Sequence, residues 1–165
     1  MNRDGLLALC GYNAYANHLV LDTVGRLTED ELTRPSSPSH ESVLKMLEHM
    51  LAVEAVFLAR CQATPIERPD LPTLADLIRY WAGVEQATQD FVAAQTDADL
   101  KREVVAFSTQ PLHFPIWQLL LQAFLHSTHH RGELSIVLTE LGHPLPTLDI
   151  IVHFAEQSGQ AWPWT

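Results

Sequence analysis

His126 and His130 stand four residues apart in the run Leu125-His126-Ser127-Thr128-His129-His130-Arg131-Gly132-Glu133. On a helix that spacing is about 6 Å along the axis, and it nearly superposes the two side chains on one face. Two imidazoles so placed can converge on one cation, because zinc–nitrogen bonds are about 2.0–2.1 Å long. The pair sits in an apolar segment that includes Leu119, Leu120, Leu121, Phe124, Leu134, Ile136, Val137 and Leu138. A third histidine, His49, lies among Leu44, Met46, Leu47, Met50, Val53 and Val56, on the inner side of another amphipathic segment. Three neutral imidazoles from two helices would make a metal site with one position open to water or substrate. Water bound there could lose a proton near neutral pH, or a thiol could be held as thiolate and aimed at an electrophile. The alternative is that each ring is a core or boundary histidine bonded to a carbonyl. Periodicity alone does not choose between the two. His129 points about a quarter turn away from His130, outside the same site.

These rings need long helices to hold them, and the chain is written that way. Leu6, Leu9, Asn13, Val20, Val24 and Leu27 recur at helical spacing from about Asp4 to Leu27. Thr28-Glu29-Asp30-Glu31 has the pattern of a capping box and predicts a short extra turn. Pro35-Ser36-Ser37-Pro38 breaks the chain, after which Ser39 can cap a second helix to about Cys61. The stretch from Thr64 to Pro72 contains three prolines and predicts a surface loop. Thr73 followed by Asp76 opens a third helix to about Gln95, with Leu74, Leu77, Ile78, Trp81, Val84 and Phe91 on its buried face. Glu103–Phe107 has strand character and, with Pro111–Phe114, reads as a small hairpin. Pro115 suits the first turn of a fourth helix that runs to Leu141 and is capped by Gly142. Thr147 can cap a short last helix through about Glu156, and Trp162 and Trp164 of the tail are expected to pack back on the body. The expected fold is all-α: a four-helix bundle with a short carboxyl-terminal helix and a small hairpin before the fourth long helix.

Composition narrows the function classes. A length of 165 residues suits one domain, 1–165. Ten basic against twenty acidic residues leave a net charge of -10, which repels a phosphate backbone and argues against nucleic acid. No uncharged apolar run approaches the roughly 20 residues that span a bilayer. Met1-Asn2-Arg3-Asp4 lacks the apolar stretch of a secretory signal. Cys10 and Cys61 read as reduced core residues of a cytoplasmic protein, and nothing near Cys10 would lower its pKa for nucleophilic work. There is no glycine-rich phosphate loop, Gly-x-Ser-x-Gly turn or paired-cysteine zinc motif, which disfavours nucleotide-dependent chemistry and serine hydrolysis.

Four segments together resemble one family. They are Tyr12-Asn13-Ala14-Tyr15-Ala16-Asn17; Val43-Leu44-Lys45-Met46-Leu47-Glu48-His49-Met50 followed by Glu54; His126-Ser127-Thr128-His129-His130-Arg131-Gly132-Glu133; and Pro146-Thr147-Leu148-Asp149. In this order they resemble the DinB-like (damage-inducible) superfamily of small four-helix bundles, over nearly the whole chain. The resemblance implies that His49, His126 and His130 bind a divalent metal, zinc or nickel. It implies a thiol-dependent transferase using a low-molecular-weight thiol, or a hydrolase of a small-molecule substrate, and a homodimer. A non-catalytic, stress-associated metal-binding bundle is the alternative. Glu133 departs from the glutamine common in the family. Lying one turn beyond His130, it could be an outer partner of a ligand, a fourth ligand or an exposed carboxylate. Glu133, Glu48 or Asp149 could move protons, and Asp149 shares a helix face with His153. Asn13 and Asn17 either line the pocket or join helices by hydrogen bonds.

Overall fold

Thr28, Ser42 and Thr73 each offer a side-chain oxygen to a backbone N–H of the turn that follows, and a helix starts at each. The computed structural model describes residues 1–37, 39–107 and 111–163. Its order is α1 (Arg3–Val24), α2 (Glu29–Thr33), α3 (Val43–Gln62), α4 (Leu74–Ala93), a 3₁₀ turn (Asp99–Lys101), β1 (Glu103–Phe107), β2 (Leu112–Pro115), α5 (Ile116–Glu140) and α6 (Ile150–Gln157). The all-α bundle with its hairpin and short last helix is therefore as the periodicity predicts.

Two starts differ from the sequence reading. Ser42, not Ser39, caps α3, its Oγ accepting from the Lys45 N–H at 3.3 Å. The reason is local: Glu41 takes a left-handed φ of 66° and the Ser42 N–H reaches back to the His40 carbonyl at 2.7 Å, so the chain turns there. Asp149, not Thr147, is the residue before α6, and it makes no side-chain cap. Pro38 and Trp164 lie outside the described residues; Trp162 is half-buried beside Ile151 and Phe154 of α6. Ser42→Ala is expected to cost about 1 kcal/mol, read as a lower urea midpoint at unchanged slope.

Among the described residues the core has two apolar clusters. One holds Val20, Leu21 and Val24 of α1, Met46, Leu47 and Met50 of α3, Leu77 and Trp81 of α4, and Leu134 and Leu138 of α5. The other holds Leu6 and Cys10 of α1, Cys61, Val92, and Ile116, Leu120 and Phe124 of α5. Thus α1 and α5 run from the second cluster to the first, and α3 and α4 run the other way. Two consecutive parallel helices need a connection as long as themselves. Residues 63–73, kept extended by their prolines, span about 30 Å, the length of a helix of about 20 residues. Gly142, with φ 84°, ends α5: its N–H bonds the Thr139 carbonyl, and the His143 N–H bonds that of Leu138. In the hairpin Val104 pairs with Phe114 and Val105 with His113, with a bulge before Phe107. Among the described residues no helix is long and apolar enough to cross a membrane.

Candidate metal centre

α3 packs along α5, and the histidines meet at the rim of that interface. His126 and His130 project from adjacent turns of α5, with ring centroids 4.5 Å apart. His49 of α3 faces them at 4.8 and 5.0 Å. His126 Nε2 lies 3.0 Å from His49 Nε2 and 3.2 Å from His130 Nε2. Two nitrogens bound tetrahedrally at about 2.0–2.1 Å to one zinc would be about 3.3 Å apart. The observed separations approach that edge length. His130 is buried, and His49 and His126 are half-buried, so the cluster opens to solvent on one side.

Every ring of the three resists protonation. Burial, followed by the neighbouring rings of His130 and His49, brings His126 down to about 4. Burial first, then His40, lowers His49; burial also lowers His130, against the opposing pull of Glu133. Neutral imidazoles are the state in which histidine offers a lone pair.

His40, which sequence reasoning did not single out, joins the cluster. It stacks on His49 with centroids 4.1 Å apart and stands edge-on to His130 at 4.8 Å. Ligand atoms of His40, His49 and His130 lie within 4.8 Å of one another, and this group could hold a metal ion. No periodicity points to it, because it sits in the loop before α3 rather than on a helix face. His129 is exposed, its ring 5.0 Å from that of His130, in a second group with His130 and Glu133.

Glu133 stands behind His130. Its Oε2 is 3.4 Å from His130 Nδ1, and its Oε1 accepts from Ser37 Oγ at 2.6 Å and Ser39 Oγ at 2.5 Å. Burial pushes this carboxyl up, but the two serine hydroxyls and His130 outweigh it and bring it down to about 2. Glu133 thus sits against the His130 ring, and it also belongs to a group with His129 and His130 that could hold a metal ion.

Other family-like residues serve the fold. Arg131, 1% exposed, donates to Asn13 Oδ1 and Asn17 Oδ1 at 2.8 and 2.7 Å, and to Thr128 Oγ1 at 2.8 Å. The same two asparagines donate through Nδ2 to Glu54 Oε1 at 2.9 and 3.2 Å. Ser127 Oγ and Trp81 Nε1 complete the Glu54 shell at 2.6 and 2.9 Å. Two carboxamides therefore relay a buried cation to a buried anion, across all four long helices and between the two apolar clusters. Asn13 and Asn17 are inter-helix bonds.

The remaining candidates lie elsewhere. Glu48 pairs with Lys45 at 2.7 Å, and Asp149 is exposed at the start of α6. His153 turns from Asp149 towards α1, its ring 4.7 Å from that of Tyr15. Burial pushes the Cys10 and Cys61 thiols up to about 12. Both should therefore resist a thiol reagent at pH 8 in the folded protein and react once urea unfolds it.

No match is found among curated proteins. Solved structures similar to the chain include two DinB-like proteins. A DinB-like protein from Bacillus subtilis has 21% identity and a TM-score of 0.67, over 86% of this chain and 96% of that one. A DinB-like protein from Bacillus cereus has 19% identity and a TM-score of 0.64, over 81% and 91%. At these identities the likeness concerns the fold. The DinB family model matches residues 1–160, and the chain belongs to the DinB family.

Proposed function

We propose that the chain is a metal-dependent enzyme that joins a low-molecular-weight thiol to an electrophile or hydrolyses a small molecule. In this reading His49, His126 and His130 hold a divalent cation, zinc or nickel. The observation that carries it is the approach of His126 Nε2 to His49 Nε2 and His130 Nε2, at 3.0 and 3.2 Å, at a rim open to solvent. Imidazole donors suit both metals. Such an ion, when bound, lowers the pKa of a water or holds a thiol as thiolate. Glu133 works here as a positioning residue: accepting from His130 Nδ1, it orients the ring and leaves the Nε2 lone pair directed inward. Glu133→Ala should weaken metal affinity about tenfold to a hundredfold, measured by competition with a chromophoric chelator.

A purely structural role for the ion is the weaker reading, because the Glu54–Arg131 relay and two apolar clusters already tie the long helices together. The same proposal includes a cytoplasmic homodimer. Leu125 and Ile136, 57% and 64% exposed, stand about three turns apart on the outer side of α5 and offer a strip for a second copy.

Metal analysis after loading with zinc or nickel tests the centre. One equivalent retained through gel filtration is expected, and none retained overturns it. The loaded protein is then assayed with bacillithiol, mycothiol or glutathione plus a model electrophile, and with an ester panel. Retained metal with no turnover in any assay would favour the non-catalytic bundle.

A further inference from the structure

The loop before α3 carries more polar contacts to the histidine cluster than a connector requires. We infer that His40 is a fourth ligand of the centre, presented by this loop and held in its ligating tautomer by Glu133 through Ser39. This rests on the metal-centre reading above and goes beyond its three histidines.

Ser39 Oγ donates its one proton to Glu133 Oε1 at 2.5 Å. The same oxygen lies 2.7 Å from His40 Nδ1, so it can only accept there, and Nδ1 must carry the hydrogen. His40 Nε2 is then left with its lone pair free. The opposite oxygen of Glu133 acts on His130 in the same way, at 3.4 Å from Nδ1. A single carboxylate thus selects the tautomer of two rings on different elements, and in both it leaves Nε2 as the donor.

The loop itself is tied down. Ser37 Oγ also donates to Glu133 Oε1 and accepts from the Ser39 and His40 N–H groups at 3.3 Å each. The Ser36 N–H bonds the Glu41 carbonyl at 2.7 Å, and Glu41 accepts a left-handed φ of 66°. These contacts bring the His40 ring within 4.1 Å of His49 and 4.8 Å of His130, close to the 4.5–5.0 Å between centroids of the other three rings. A fourth imidazole fills the position that a three-histidine site leaves vacant, so an incoming thiol has to compete with His40.

Cobalt(II) provides the test, since its visible spectrum reports on its ligands. Apo wild-type protein, His40→Ala, Ser39→Ala and His126→Ala are titrated with cobalt(II), and zinc affinity is measured by chelator competition. Circular dichroism establishes that each variant is folded. Expected for His40→Ala are an altered cobalt spectrum, zinc affinity at least tenfold weaker, and restoration of the wild-type spectrum by added imidazole, which leaves wild-type protein unchanged. Ser39→Ala should weaken binding by a smaller factor with the spectrum retained. A His40→Ala spectrum and affinity equal to wild type, beside a clear loss in His126→Ala, would overturn the fourth ligand and leave the triad standing. Failure of wild-type protein to bind either ion would overturn both.

Discussion

Arg131→Met is expected to lower stability by about 3–5 kcal/mol, the usual cost of leaving one buried charge without its partner. Arg131 is 1% exposed and Glu54 6%, so water cannot replace what is removed. The loss would spread beyond the pair. Asn13 and Asn17 each use one amide oxygen on Arg131 and one amide nitrogen on Glu54, and both oxygens would be left without that donor. For a chain of this size the change corresponds to a fall in Tm of roughly 10–15 °C. Urea unfolding of Arg131→Met, Glu54→Gln and the double variant measures it. The double variant should lose less than the sum of the singles, because the second substitution removes the charge that the first left stranded. Strict additivity would mean that the two residues are not coupled through the asparagines.

His126→Ala should have the opposite profile. Its ring is half-buried at the α3–α5 rim and makes its Nε2 contacts to other imidazoles, so truncation removes little packing. The fold should survive with about 1 kcal/mol of loss or less, as at a partly exposed site. Metal affinity should fall further than the tenfold to hundredfold that accompanies loss of an outer partner, because a donor nitrogen itself is gone. Any thiol-transfer or hydrolytic activity should go with it. Chelator competition and thermal melts on the same preparation separate the two effects. A large drop in melting temperature with metal binding intact would place His126 among the structural residues, beside Arg131.

Much of this contrast could be read from one stretch of α5. His126 and His130 repeat every four residues and so share a face; Ser127 and Arg131 repeat likewise on the next face. Which of the two faces would meet α1 and which the rim was not in the spacing. Asn13 and Asn17 show the same limit, since two carboxamides on an apolar face fit a pocket lining and an inter-helix bond equally well. Glu54 and Arg131 decided it by closing around them. Ser39 was the plausible cap by type and position, but Glu133 engages its hydroxyl and Ser42 takes over the α3 N–H.

Helix number, the hairpin, the proline-rich loop and the shared face of His126 and His130 were all determined by local rules: hydrophobic period, caps, prolines and i,i+4 geometry. These depend on neighbours along the chain, and a sequence displays them directly. The meeting of His49 with the α5 pair, the hold of Ser37 and Ser39 on Glu133, the arrival of His40 from the α3 approach, and the carboxamide relay belong to tertiary structure. Each depends on a contact between residues remote in sequence. Its strength comes from exclusion of water and from proton direction at a particular oxygen or nitrogen, and neither exists until the helices have closed on one another.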